Sequence, residues 1–299
     1  MKKLNKTGPM RLRRVIGNLL TQRRIIPILA VAAGLLPAST AFGVPLDLTT
    51  PAHPPDVSGS FASGTTGAGA IYSTIDSHPT GTGVFDPFLS YQAKAVEEGF
   101  NTSSGGNGQG YLDTKRVPQW NHDLHVSDLG VTAGPDGKGS YYAFELDANE
   151  TGNGNAKRLL SIDDIRIYTS GTDTANSVGD TGSVDNLGTL RYAQNASLSV
   201  TANWVLIDAS KKEGGSTSGS GSSDMIVYVP TALFAGADIN DFLYFYTING
   251  VHETSDAGYE EWRALTKVVP DGGSTLLLLG SSLTALGFLA GRRGLANHS

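Results

Sequence analysis

The 299-residue sequence contains no cysteine. Disulfide frameworks, thiolate nucleophiles and Cys-ligated zinc are thereby excluded together, so stability has to come from packing. The G-x-S-x-G elbow, the Walker phosphate loop, the dinucleotide fingerprint and the H-E-x-x-H helix are also missing. The motifs that announce common enzyme chemistries therefore give a catalytic reading no support. Basic residues are scarce where a nucleic acid would need them. Eight of the 22 Lys and Arg lie within residues 2–24 and two more are Arg292 and Arg293, which leaves 12 bases against 27 acids in residues 44–270, a net −15. Phosphate binding relies on clustered Lys and Arg, so no nucleic-acid partner is expected.

What is present at the two ends reads as address information. Residues 1–43 begin with Lys2, Lys3, Lys6, Arg11, Arg13, Arg14, Arg23 and Arg24, continue with twelve apolar residues over 25–36, and finish with Pro37 and small residues. A basic region, a short apolar core and Ala41-x-Gly43 before Val44 form a signal-peptide pattern, with signal peptidase as the processing partner. The apolar run is too short to span a bilayer comfortably. Met1 and Met10 both leave a basic start in front of it. Residues 268–293 contain Val269, Pro270, Asp271, Gly272, Gly273 and Ser274, an uncharged stretch over 275–291, and Arg292-Arg293, followed by a short tail, 294–299. Seventeen helical residues rise about 25 Å, enough to enter a thin or tilted span. The arginines are retained on the cytoplasmic side by the positive-inside preference, which places the acidic body outside, in agreement with the signal peptide.

A short Pro-containing motif, a hydrophobic segment and an arginine cluster in this order resemble the PEP-CTERM class of sorting signal. Val269-Pro270-Asp271-Gly272-Gly273-Ser274-Thr275 is most similar to its VPDSG-type variant, with Gly272-Gly273 where the variant has Ser-Gly. The resemblance implies handling by an exosortase, a membrane-embedded cysteine transpeptidase of Gram-negative-type bacteria that make extracellular polysaccharide. It also implies a destination at the cell envelope, the cell surface or the extracellular matrix, with membrane contact at least while the tail is attached. The Gly-Gly pair leaves open a cut by an intramembrane rhomboid-type protease. A plain retained anchor stays open as well.

Between the ends, residues 44–70 are rich in Pro, Gly, Ser and Thr and read as an extended lead-in or an irregular first strand. Residues 71–267 show short apolar alternations separated by Gly, Asn, Asp and Ser, with no helical period long enough for a major helix. Eight strands are expected, over 88–93, 120–126, 141–147, 161–168, 187–192, 198–207, 225–229 and 242–248. In 141–147, Tyr142, Phe144 and Leu146 should face the core and Tyr141, Ala143, Glu145 and Asp147 the solvent. Asp136-Gly137 and Asn249-Gly250 supply turn chemistry. The fold class expected is all-β, an antiparallel β-sandwich with the jelly roll as its specific form, flanked by the signal peptide and a C-terminal hydrophobic sorting helix. Residues 83–88, 97–102, 161–168, 224–230 and 260–262 are similar to a β-rich ectodomain that recurs among PEP-CTERM proteins. That resemblance implies export and fold, with no activity attached.

Candidate chemistry is sparse. Asp123 and His125 form an Asp-x-His pair, two ligands where a closed zinc site needs more. Asp147, Asn149 and Thr151 before Gly152 imitate the start of a calcium loop, but Arg158 stands where its last ligand should be a Glu, so any calcium site there would draw ligands from another loop, with Asp163-Asp164 nearest. Glu97-Glu98, Asp163-Asp164 and Glu260-Glu261 are adjacent acids that point oppositely on a strand and need folding to make an acid/base pair. Tyr91, Tyr111, Trp120, Tyr141, Trp204, Tyr259 and Trp262 would stack on sugars if several shared an exposed face, although aromatics in a sandwich belong more often to the core. The expectation is a non-catalytic exported protein, structural or associated with extracellular polysaccharide. The alternative is a secreted polysaccharide-active hydrolase using paired carboxylates.

Overall fold

The computed structural model describes residues 45–49, 58–61, 67, 69–74, 85–105, 111–114, 117–135, 137–150, 158–199, 201–209 and 223–266. All belong to the unit that begins at Ala41. The cleavage residues Ala41, Gly43 and Val44, the loop residue Thr151, and the whole of the 268–293 sorting segment lie outside them. Among the described residues no helix is long and apolar enough to cross a membrane.

The described chain forms fourteen strands: β1 (Leu46–Asp47), β2 (Ser58–Gly59), β3 (Ile71–Ser73), β4 (Leu89–Tyr91), β5 (Glu97–Phe100), β6 (Leu124–His125), β7 (Val131–Thr132), β8 (Tyr141–Ala148), β9 (Leu159–Ser170), β10 (Thr189–Ala193), β11 (Val205–Asp208), β12 (Met225–Pro230), β13 (Phe242–Asn249) and β14 (Glu260–Ala264). They build two sheets. The first runs β1-β11-β9-β13-β5, with β10 also on β9 and β6 on β13; the second runs β2-β3-β12-β8-β14-β4, with β7 on β8. Apart from the parallel β1–β11 pair, the ladders are antiparallel. Among the described residues helix is almost absent; α1 (Ala175–Val178) is a single turn. The lead-in contributes edge strands, since β1 pairs with β11 and β2 with β3.

The two sheets share one apolar layer. Phe144 and Leu146 of β8, Val227 and Val229 of β12 and Trp262 of β14 meet Ile165 and Ile167 of β9, Val205 and Ile207 of β11 and Phe245 of β13. Phe245 is the hub, with ring centroids 5.0 Å from Phe144, 5.7 Å from Phe88 and 4.7 Å from Trp262. Burying side chains of this size contributes roughly 1.5–3 kcal/mol each. The inward face expected for β8 is present, but the opposite face is not wet: Ala143, Glu145 and Asp147 are buried too. Ala143 packs with Ile226 and Tyr228, and Glu145 is held by Arg263 at 2.7 Å and by Ser223. The outer face of the first sheet is likewise covered. Phe100, Tyr168, Tyr244 and Tyr246 lie under α1 and the turn Val184–Leu187.

Strand β9 holds a local departure that alternation alone does not foresee. Leu160 and Ile162 face the core, yet so do Ile165 and Ile167, which an unbroken period of two would send outward. The ladder with β13 explains this: Asn249 faces Ile162 and Ile248 faces Asp164, so Asp163 is an extra, bulged residue. The expected strands over 120–126 and 198–207 are strands only in their last residues, β6 and β11. Near Trp120, the N–H groups of Trp120 and Asn121 both donate to the Val117 carbonyl and make a turn. Before β11, Asn203 exchanges side-chain and backbone bonds with Gln194 and Asn195 instead of joining a ladder. Strands β5 and β14 went unforeseen because both begin with two acids, which interrupts the apolar alternation.

Candidate functional site

The ends of β4, β5, β8, β13 and β14 meet at one end of the two sheets. Register places Glu260 beside both Tyr91 and Ala148, and Glu97 beside Asn249. A cross-sheet bond fixes this end: Asn249 Nδ2 donates to Tyr91 Oη at 2.5 Å, and Trp262 Nε1 donates to the same oxygen at 3.0 Å. Two left-handed or crowded positions let the covering loops approach. Gly250 has φ +84° and lies so near the Ala95 carbonyl that a Cβ would stand 1.9 Å from its oxygen. Gly258 would bring a Cβ to 1.9 Å from the Asn149 carbonyl oxygen.

On the outside of this end is an open cleft of about 530 Å³ lined by Gln92, Trp120, Asn149, Gly258, Tyr259 and Glu261. Trp120 is 40% exposed because its turn lifts it clear of the sheet. Two lining amides are fixed by the backbone: Gln92 Nε2 donates to the Ala257 carbonyl at 2.7 Å and Asn149 Nδ2 to the Tyr259 carbonyl at 2.8 Å. Burial, and secondarily Asp147 alongside, push the Glu261 carboxyl up to about 7. The cleft thus combines two aromatic rings, two amides and one acid, which suits a neutral polyhydroxylated ligand that stacks and hydrogen-bonds.

Beneath the cleft lie Glu97 and Glu260, each fully buried, and Glu150 on the loop after β8. One oxygen of each accepts a backbone N–H: Ala93 to Glu97 at 3.2 Å, Asn149 to Glu260 at 3.1 Å and Asp256 to Glu150 at 2.9 Å. The other oxygen, Oε1, is buried in all three and makes no hydrogen bond. Burial pushes Glu97 and Glu150 up to about 8, and burial together with Glu97 and Glu150 pushes Glu260 well up. Among the described residues no three His, Asp or Glu side chains stand close enough to hold a metal as they are.

The other sequence candidates are placed as follows. Asp147 is a strand residue paired with Glu261, whereas Asn149 has turned toward β14, so the two do not open a common loop. Asp123 accepts the Ser103 N–H at 2.7 Å and His125 Nδ1 meets the Asn240 carbonyl at 2.9 Å, so each serves a different loop. Asp164 is taken by Arg166 at 2.7 Å. Tyr91 and Trp262 are core, while Trp120 and Tyr259 line the cleft.

Folding also gathers Ser161, Asp163 and His252, a serine, an acid and a histidine far apart in sequence. The geometry is not that of an activated nucleophile. The Ser161 hydroxyl donates to Asp163 at 2.8 Å and accepts the N–H groups of His252 and Glu253, while His252 Nδ1 meets Asp163 at 2.5 Å. The serine therefore faces the acid and not the imidazole. With His252 stacked on Trp204 at 4.4 Å, the group clamps residues 251–253 onto the β9 bulge.

Comparison with known proteins adds information at the other end of the sequence. Residues 268–293 match the family model described as VPDSG-CTERM motif. The chain carries a VPDSG-CTERM motif, the sorting signal of PEP-CTERM-type exported proteins. The VPDSG-CTERM motif implies an exported, envelope-associated protein that exosortase-type machinery processes. No curated protein and no solved structure matches the chain.

Proposed function

We propose that the protein is a non-catalytic component of the cell surface or extracellular matrix, and that its sandwich holds extracellular polysaccharide in the cleft between Trp120 and Tyr259. The observation that carries the reading is the VPDSG-CTERM motif, which implies an exported, envelope-associated protein, joined here to an acidic, β-rich body. The strand order supports a jelly roll. Counting β4, β5, β8, β9, β11, β12, β13 and β14 as strands 1 to 8, one sheet runs 1-8-3-6 and the other 2-7-4-5. Fold by itself assigns no ligand; the exposed indole beside a tyrosine and fixed amides is what favours a sugar. The hydrolase reading needs two carboxyl groups roughly 5–10 Å apart across an accessible cleft. Glu97 and Glu260 face each other but are sealed from solvent, and Glu261 is the one acid among the cleft residues named above.

The test has two parts. Mass spectrometry of protein from the producer's envelope and medium should find a mature start at Val44 and an end between Pro270 and Gly273; an intact Ser299 in the membrane fraction would overturn the sorting half. Affinity electrophoresis in the producer's own polysaccharide should retard the protein, and equal mobility of wild type and Trp120→Ala would overturn the ligand half.

A further inference from the structure

The interior end beneath the cleft contains the carboxylates of Glu97, Glu150 and Glu260, with Asp224 near Glu260 on the Ala148 N–H, and among the described residues no Lys or Arg is paired with any of the three glutamates. Glu97 projects inward from the first sheet and Glu260 from the second, because each lies on the face of its strand opposite Glu98 and Glu261. Glu150 completes the set from the loop above. Each is anchored by one oxygen to a backbone N–H on a different segment, and each leaves Oε1 buried with nothing to bond. Uncompensated carboxylates in such a place cost several kcal/mol, which protonation or a bound cation relieves. Protonating one acid supplies an O–H that a single neighbouring carboxylate can accept, which leaves the third without a partner. A hard cation takes six to eight oxygens at once.

We infer that one hard divalent cation, calcium in preference to magnesium, binds between Glu97, Glu150 and Glu260. Calcium is favoured because the donors come from three separate segments in irregular array, whereas magnesium demands near-ideal octahedral geometry and gives up water reluctantly. The backbone is already held in place by the Tyr91–Asn249 and Tyr91–Trp262 bonds, so closing on the ion calls for rotation of the glutamate side chains. Asn249 Oδ1, which among the described residues accepts only from the Thr247 hydroxyl, adds a further oxygen with a spare lone pair at the same end. The site differs from the loop suggested by Asp147, Asn149 and Thr151: it lies on the interior side, where Glu260 receives the Asn149 N–H. Because Asn149 and Gly258 also line the cleft, an ion here would stiffen the cleft wall through Glu260 and the Glu150–Asp256 contact. The inference stands without the polysaccharide reading, since its test contains no sugar.

The full-length protein is stripped with chelator and titrated with calcium chloride, then with magnesium chloride, by isothermal calorimetry and by thermal unfolding. One calcium per chain and a rise in Tm are expected, with magnesium much weaker. Glu260→Gln and Glu97→Gln should each weaken calcium affinity by about tenfold or more, because ligand charge sets affinity in such sites. In chelator both variants should unfold close to the wild-type temperature, since glutamine keeps the shape and its amide oxygen still accepts the Ala93 or Asn149 N–H. That second readout separates loss of a ligand from loss of the fold. Glu98→Gln, on the opposite face, should bind calcium like wild type. Absence of calcium binding, or calcium binding unchanged in Glu260→Gln, would overturn the assignment.

Discussion

Replacing Tyr91 with Phe tests the cross-sheet bond that holds the functional end together. The ring is fully buried, and its hydroxyl accepts from Asn249 Nδ2 at 2.5 Å and Trp262 Nε1 at 3.0 Å. Phenylalanine keeps the packing and leaves two buried donors without an acceptor. Each orphaned donor costs about 1–3 kcal/mol, and removing the need to desolvate the hydroxyl returns about 1 kcal/mol, so a net loss of about 1–5 kcal/mol is expected. Urea unfolding in chelator would report it as a lower midpoint with an unchanged m-value. The double-mutant cycle with Trp262→Phe sharpens the measurement, because the two side chains share one bond and should show a coupling of about 0.5–3 kcal/mol. A loss below about 0.5 kcal/mol in Tyr91→Phe would refute the claim that this hydroxyl joins the sheets, and additivity in the cycle would refute the Trp262 bond.

Three further outcomes are expected. Gly258→Ala should lower stability by about 1–3 kcal/mol, since its Cβ would press 1.9 Å from the Asn149 carbonyl oxygen; thermal unfolding reads the loss, and weaker retardation in polysaccharide gels would show that the cleft wall has moved. Trp120→Ala should change stability by less than about 0.5 kcal/mol, as an exposed turn residue, while weakening polysaccharide binding by about 2- to 10-fold. Asp163→Ala should cost about 2–4 kcal/mol, because the Val251 N–H, the Ser161 hydroxyl and His252 lose their acceptor. Hydrogen exchange at Val251 should then accelerate ahead of exchange in β12.

That the protein is exported and that its body is β-rich were legible in the sequence, and the meeting of its acids was not. The VPDGGS stretch, apolar segment and arginines are contiguous and carry their meaning without a fold, and the family match covers that same segment. The Phe144 and Leu146 face of β8 was readable because a strand sends alternate side chains to opposite sides. That rule names a face and is silent on which strand lies opposite. Glu97 and Glu260 are over 160 positions apart, and only the antiparallel ladders that set Glu97 beside Asn249 and Glu260 beside Tyr91 bring them to one end of the interior. The extra residue at Asp163 likewise follows from the register with β13 and appears in no local pattern. Trp120 could be named as an aromatic from its letter, but its exposure depended on a turn closed by the Val117 carbonyl. Local chemistry thus determined the export address and the strand faces, while non-local pairing, which enters the sequence only through distant residues, decided where the cleft and the buried carboxylates would be.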